Sequence, residues 1–258
     1  MIQLYGREQT EVTDRVIEIY GVNLSQLPDR RGIWRLLDER YAAAWRERHR
    51  SIRDERAARA SIAGFLLLQM SGMHGDIEYD ERGRPYFLYG NIDFNISHTA
   101  QHVFCAIETK TGDPVLPEPP AALGYPFKKV PSSQKKQLFP ELCRVGLDAE
   151  NLDRLLTMRI CPLAERWFTG AEEDFFLSDP TDENFLRIWT RKEALVKWTG
   201  DGLSAMRTED TVTAQSRYDI RFYEYRVDDA VLTLCCHSSS PAPPCIRMLT
   251  GSEIMMLM

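Results

Sequence analysis

Trp189-Thr190-Arg191-Lys192-Glu193-Ala194-Leu195-Val196-Lys197, running on to Gly200-Asp201-Gly202-Leu203, has the spacing of a helix that ends in a glycine-rich stop. On such a helix Trp189, Glu193 and Lys197 are successive i, i+4 neighbours on one side. One face then carries a carboxylate and an ammonium within reach of each other, a base and an acid or anion-binder on a rigid element. Taken alone, the same spacing also describes a solvated surface pair worth a few tenths of a kcal/mol. Two other clusters bear on the choice.

Val145-Gly146-Leu147-Asp148-Ala149-Glu150 reads as a short strand end. In a strand, Asp148 and Glu150 point to the same face. Two carboxylates there repel each other unless a cation lies between them, and hard oxygen donors of this kind suit Mg²⁺. The alternative is an edge strand with solvated acids. Phe94-Asn95-Ile96-Ser97-His98-Thr99 precedes the apolar run Val103-Phe104-Cys105-Ala106-Ile107, which reads as a strand. Ser97, His98 and Thr99 offer compact donors suited to a phosphate. A lone histidine in such a place is more often structural than catalytic, and no Ser-His-Asp arrangement imposes itself.

Four blocks taken together resemble one family. G-R-P-Y-F (Gly83 to Phe87), F-N-I-S-H-T (Phe94 to Thr99), V-G-L-D-A-E (Val145 to Glu150) and W-T-R-K-E-A-L-V-K (Trp189 to Lys197) stand in the order seen in 4′-phosphopantetheinyl transferases of the surfactin-synthetase-activating (Sfp-like) type. That pattern is G-[KR]-P, F-N-x-S-H, G-[IV]-D-x-E and W-x-x-K-E-[AS]-x-x-K. The one departure is Leu147, apolar for apolar, and the blocks span about half of the chain.

The resemblance implies a reaction. The phosphopantetheine arm of coenzyme A moves to a serine of an apo acyl or peptidyl carrier protein, and 3′,5′-ADP is released. Mg²⁺, with Mn²⁺ as an alternative, neutralises the charge that builds on the phosphate oxygens. By the same resemblance Asp148, Glu150 and Glu193 hold the metal. Glu193 is also the general base, directly or through a water, which conflicts with full commitment to the metal. Lys197 binds the pyrophosphate and stabilises the leaving group, with Lys192 as a second phosphate contact. Ser97, His98, Thr99 and Arg84 hold the coenzyme A phosphates. The implied fold is α+β, a pseudo-twofold pair of similar halves, each a long helix packed on a small antiparallel sheet, with coenzyme A in the cleft between them. Both halves lie in one chain, so a monomer is expected.

Composition agrees. A chain of 258 residues with 43% hydrophobic content can bury one large core or two smaller ones. No apolar run approaches the roughly 18 residues of a membrane span, and the opening MIQLYGREQTEV lacks a signal-peptide pattern. The six cysteines are irregularly spaced, form no C-x-x-C pair and read as reduced thiols of a cytoplasmic protein, with Cys235-Cys236 as apolar strand content. A net charge of −6 argues against nucleic-acid binding by bulk charge. Carrier proteins are usually acidic, so a local basic patch is required. Arg46, Arg48, Arg50, Arg53, Arg56 and Arg59 supply one in a segment read as helical and continuing through Ser61 to Leu68. A solvated helix face explains most of these arginines. Arg53, Arg56 and Arg59 share a face by their spacing of three, and the resemblance assigns basic residues here to the 3′-phosphate of coenzyme A.

Three segments follow: an N-terminal half over 1–108, a proline-rich linker or insertion over 109–144, and a C-terminal half over 145–258. In the last, Leu152 to Phe168 and Ala171 to Leu177 read as helices. Thr211 to Val227 and Ala230 to His237 read as strands joined by a turn at Asp228-Asp229. The tail from Ile246 reads as a final strand or a frayed end. Two other functions fit the same residues: a carrier-binding relative that has lost transfer, and another Mg²⁺-dependent phosphate enzyme. The absence of a P-loop or a G-x-G-x-x-G after a strand lowers the second.

Overall fold

The computed structural model describes residues 15–73, 76–80, 82–87, 92–110, 144–153, 160–239 and 245–256. In chain order these form β1 (Arg15–Asn23), α1 (Arg30–Leu36), α2 (Glu39–His49), α3 (Glu55–Met70), β2 (Ile77–Tyr79), β3 (Pro85–Phe87), β4 (Asp93–His98), β5 (His102–Lys110) and β6 (Gly146–Asn151). Then come α4 (Ile160–Trp167), α5 (Gly170–Ser178), α6 (Asp182–Thr199), α7 (Thr211–Tyr218), β7 (Ile220–Val227), β8 (Ala230–His237), β9 (Ile246–Leu249) and α8 (Gly251–Met255). The class is α+β. A four-stranded sheet has the order β4-β5-β1-β9, a three-stranded sheet the order β6-β8-β7, and β2 pairs with β3.

The long helix α3 packs on the first sheet through its apolar face, burying Ile62, Phe65 and Leu66 against Val22, Phe94 and Cys105. The two sheets face each other across a second core. Ile17, Ile19, Phe104 and Ala106 of the first meet Val145, Leu147, Ala149, Leu232 and Leu234 of the second. The other face of the second sheet receives α6 and α7 through Ala194, Leu195, Trp198, Ala214 and Cys235. β8 is therefore covered on both faces, which is why it reads as a continuous apolar run. Cys235 and Cys236 lie buried on its opposite faces. No helix among the described residues is long and apolar enough to cross a membrane.

Several sequence expectations need correction. The arginine-rich stretch from Arg30 to Arg59, continuing to Leu68 and read as helical, is three helices rather than one. Asp29 and Asp54 start α1 and α3 by accepting the N–H groups of Gly32 and Ala57, and side-chain capping of this kind breaks a continuous reading. Thr211 to Val227 is not one strand. Asp210 caps α7 by accepting from Val212 and Thr213, and Asp219 at φ 54° ends it before β7 begins. β-branched residues at the start of α7 suggested a strand, and the cap decides otherwise. The hairpin at Asp228-Asp229 is as expected, with Val227 opposite Ala230. The tail forms β9, parallel to β1, so it joins the sheet of β4, β5 and β1. Of the helix expected over Leu152 to Phe168, α4 accounts for Ile160–Trp167. The proline-rich segment, apart from its ends, lies outside the described residues.

Candidate active site

The helix α6 starts at a capping Thr181, whose side chain accepts from the Asn184 N–H, and ends at Gly200 in the left-handed conformation at φ 76°. Its buried side lies on β6 and β8. The approach is close because position 146 has no side chain: a Cβ there would stand 2.0 Å from the Ala194 carbonyl oxygen. Glycine in the V-G-L-D-A-E block is thus a packing requirement, and it sets Glu193 and Lys197 of the helix beside Asp148 of the strand. Trp189, on the same side by spacing, belongs elsewhere, stacked on Phe185 with ring centroids 5.8 Å apart.

Asp148, Glu150 and Glu193 each offer a carboxylate oxygen, and these atoms lie within 4.8 Å of one another. The Lys197 ammonium donates to Asp148 Oδ1 at 2.6 Å and to the Leu147 carbonyl at 3.0 Å, and stands 3.9 Å from Glu193 Oε2. One ammonium does not neutralise three carboxylates. Burial, with Asp148 and Glu150 adding like charge and Lys197 opposing, pushes the Glu193 carboxyl up to about 7. Burial alone would lower Lys197, but Asp148 and Glu193 hold its pKa above the ordinary value. Asp148 Oδ2 is buried without a hydrogen-bond partner. An orphaned carboxylate oxygen beside two further carboxylates is what a hard divalent cation satisfies, so these residues fit Mg²⁺.

The other expected site residues divide. Ser97 reaches the cluster: its hydroxyl donates to Asp148 Oδ1 at 3.1 Å and accepts from the Ala149 N–H. His98 is exposed at the end of β4. Packing around the ring and the nearby Lys197 charge lower its pKa, so it is neutral over a wider range than usual. The Thr99 hydroxyl oxygen is committed locally, accepting from the N–H groups of Gln101 and His102. Arg84 is held in place by donating to Asp93, the Val145 carbonyl and the Lys197 carbonyl.

Lys192 does not join the cluster. It is fully buried, and its ammonium donates to Glu172 Oε2 at 2.5 Å and to the Glu209 carbonyl at 2.7 Å. The signal was present: its i+3, i+4 and i+7 neighbours Leu195, Val196 and Thr199 are all on the buried side. Arg59 is likewise directed inward, donating to the carbonyls of Leu24, Leu27 and Pro28. Arg56 donates to the Ala100 carbonyl. Both arginines line a cavity of about 330 Å³ with Asn23, Ser25 and Gln101. Arg53 is exposed ahead of α3 and does not line it.

Sequence reasoning missed Asp93 and Gly146 as site-forming positions. Asp93 stands one residue before the F-N-x-S-H block, in phase with Asn95 and Ser97, and that alternation was its signal.

Residues 144–241, from β6 past the end of β8, match the family model of the 4′-phosphopantetheinyl transferase superfamily. The matched stretch contains Asp148, Glu150, Glu193 and Lys197. The chain is also similar to the 4′-phosphopantetheinyl transferase HetI of Nostoc sp. (strain PCC 7120), 25% identical over 155 residues. That alignment covers 57% of this chain and 50% of the relative, so the chain spans about half the length of the curated relative it matches.

Proposed function

We propose that the protein transfers the 4′-phosphopantetheine group of coenzyme A to a serine of an apo acyl or peptidyl carrier protein and releases 3′,5′-ADP. The observation that carries this reading is the convergence of Asp148, Glu150, Glu193 and Lys197, from one strand and one helix, inside the stretch that the family model matches. The Sfp-like assignment rests on the four sequence blocks, two of which precede that stretch.

Asp148, Glu150 and Glu193 hold Mg²⁺ in this reading, and the ion supplies neutralisation of the negative charge on the pyrophosphate oxygens. Glu193, directly or through a water, accepts the proton of the carrier serine hydroxyl. The serine oxygen forms a bond to the β-phosphorus, and the bond from that phosphorus to the bridging oxygen breaks. Lys197 faces the charge that appears on the departing 3′,5′-ADP. His98, exposed beside Lys197, contacts the phosphates. Arg53 and Arg56 remain the cations open toward solvent for the 3′-phosphate. The pseudo-twofold relation of the halves belongs to the same proposal, although the first sheet is mixed rather than antiparallel, because β9 runs parallel to β1.

Intact-protein mass spectrometry tests it. An apo carrier protein incubated with this protein, coenzyme A and Mg²⁺ gains one phosphopantetheine mass, and EDTA abolishes the gain. No gain across fatty-acid, polyketide and nonribosomal-peptide carriers, from folded protein, refutes the transferase reading. Glu193→Ala, folded, loses transfer; unchanged transfer removes Glu193 from its assigned role.

A further inference from the structure

Among the described residues β8 pairs with one edge of β6, and no strand pairs with the other. The outward backbone groups of that free edge are nonetheless met in succession, by side chains. The N–H of Val145 donates to Asp93 Oδ2 at 2.8 Å, that of Leu147 to Asn95 Oδ1 at 3.0 Å, and that of Ala149 to Ser97 Oγ at 3.1 Å. The carbonyls between them are met as well: Val145 accepts from Arg84 at 2.8 Å and Leu147 from Lys197 at 3.0 Å. Asp93, Asn95 and Ser97 are alternate residues of β4, all buried, so the two-residue period of one strand matches that of the other. The ladder ends at the carboxylates, where the Ser97 hydroxyl also donates to Asp148 Oδ1 at 3.1 Å.

We propose that Asn95 and Ser97 are positioning residues for Asp148. They act as a surrogate strand that fixes β6 against the other half, and Ser97 orients the carboxylate itself. The inference rests on the reading of Asp148 as a metal ligand. Ser97 is poorly placed to bind a phosphate directly, because its proton is directed to Asp148 and its lone pairs face the Ala149 N–H and the Lys197 ammonium, 3.4 Å away. Outer-shell partners that orient a ligating carboxylate typically contribute 10–100-fold to metal affinity.

The test is titration of the full chain with Mn²⁺ alone, followed by electron paramagnetic resonance, with coenzyme A binding measured separately in EDTA. Ser97→Ala is expected to weaken Mn²⁺ binding by about 10-fold or more, to leave coenzyme A binding in EDTA unchanged, and to be rescued by Ser97→Thr. Asn95→Leu weakens Mn²⁺ binding in the same direction. Thermal unfolding in EDTA establishes that each variant is folded. Should Ser97→Ala not fold, Ser97→Cys, which keeps the volume and weakens both hydrogen bonds, carries the same expectation. Wild-type protein that binds no Mn²⁺ overturns the metal reading and this inference with it. Wild-type Mn²⁺ affinity in folded Ser97→Ala and Asn95→Leu overturns this inference alone. Loss of coenzyme A binding in Ser97→Ala at unchanged Mn²⁺ affinity also overturns it, and makes Ser97 a phosphate contact.

Discussion

Gly146→Ala tests whether the close approach of α6 to β6 builds the site. The added Cβ would meet the Ala194 carbonyl oxygen at 2.0 Å, the Trp198 nitrogen at 2.7 Å and the Trp198 Cβ at 2.9 Å. Two of these are backbone atoms of one rigid helix, so no side-chain rotation relieves them. Restoring ordinary contact at 3.4 Å requires the helix to retreat by about 1.4 Å at Ala194. Glu193 adjoins Ala194 and Lys197 adjoins Trp198, so both site residues move with it. Overpacking of this kind destabilises by roughly 1–3 kcal/mol, which in a chain of this size lowers Tm by several degrees. A misplacement of about 1 Å can reduce turnover by about 100-fold. Thermal unfolding and the mass-spectrometric rate of carrier modification measure the two effects. Gly170→Ala is the control, because a Cβ there meets nothing within 4 Å. Wild-type Tm and rate in Gly146→Ala would refute the argument that this contact sets the geometry.

Three further outcomes are expected. Mn²⁺ affinity falls about tenfold per pH unit below pH 7 and is level above it, because the ion competes with the proton on Glu193; a flat profile from pH 5.5 to about 8 shows that Glu193 is not a high-pKa ligand. The sign for stability without metal follows from the raised pKa: the native state holds a proton that the unfolded chain releases near the ordinary value of 4.5. That contribution is complete below 4.5 and is lost as pH rises to about 7, so Tm in EDTA declines across that window and Mg²⁺ reduces the decline. Lys192→Met leaves Glu172 buried without its cation and destabilises by roughly 3–5 kcal/mol; chemical denaturation that shows no loss removes the pairing from the account of α6.

The helix over Trp189 to Lys197 and the same-face pair Asp148 and Glu150 were legible because both depend on local spacing. Gly200 at φ 76° is the stop that the glycine-rich end announced. What was not legible depends on partners distant in sequence. The neighbours of Lys192 at i+3 and i+4 indicate a buried face, but its partner Glu172, 20 residues earlier, is set by the tertiary fold alone. Arg84 carries a motif that invites a phosphate, yet the tertiary fold sets it against Asp93 and two carbonyls. The parallel pairing of β1 with β9 joins segments near opposite ends of the chain, and no periodicity announces such a pairing.

The side-chain ladder on β6 also bears on why the acidic cluster stands at an edge. An unpaired edge exposes N–H and C=O groups that another chain could pair with. A further strand would have covered them, but its backbone would occupy the space through which Lys197 reaches both the Leu147 carbonyl and Asp148. Side-chain acceptors from β4 satisfy the N–H groups from a greater distance than a backbone would, and the cations Arg84 and Lys197 satisfy the carbonyls. The same contacts that close the edge therefore bring an ammonium to the carboxylates and join the two sheets. Removing Asn95 as an acceptor should accordingly loosen the junction and the metal affinity together, whereas a change in α1, such as Gly32→Ala, whose added Cβ would meet Pro28 at 2.6 Å, should affect stability without altering Mn²⁺ affinity. Differential scanning calorimetry and Mn²⁺ titration on the two variants separate these outcomes, and equal loss of metal affinity in both would show that the ladder has no privileged connection to the site.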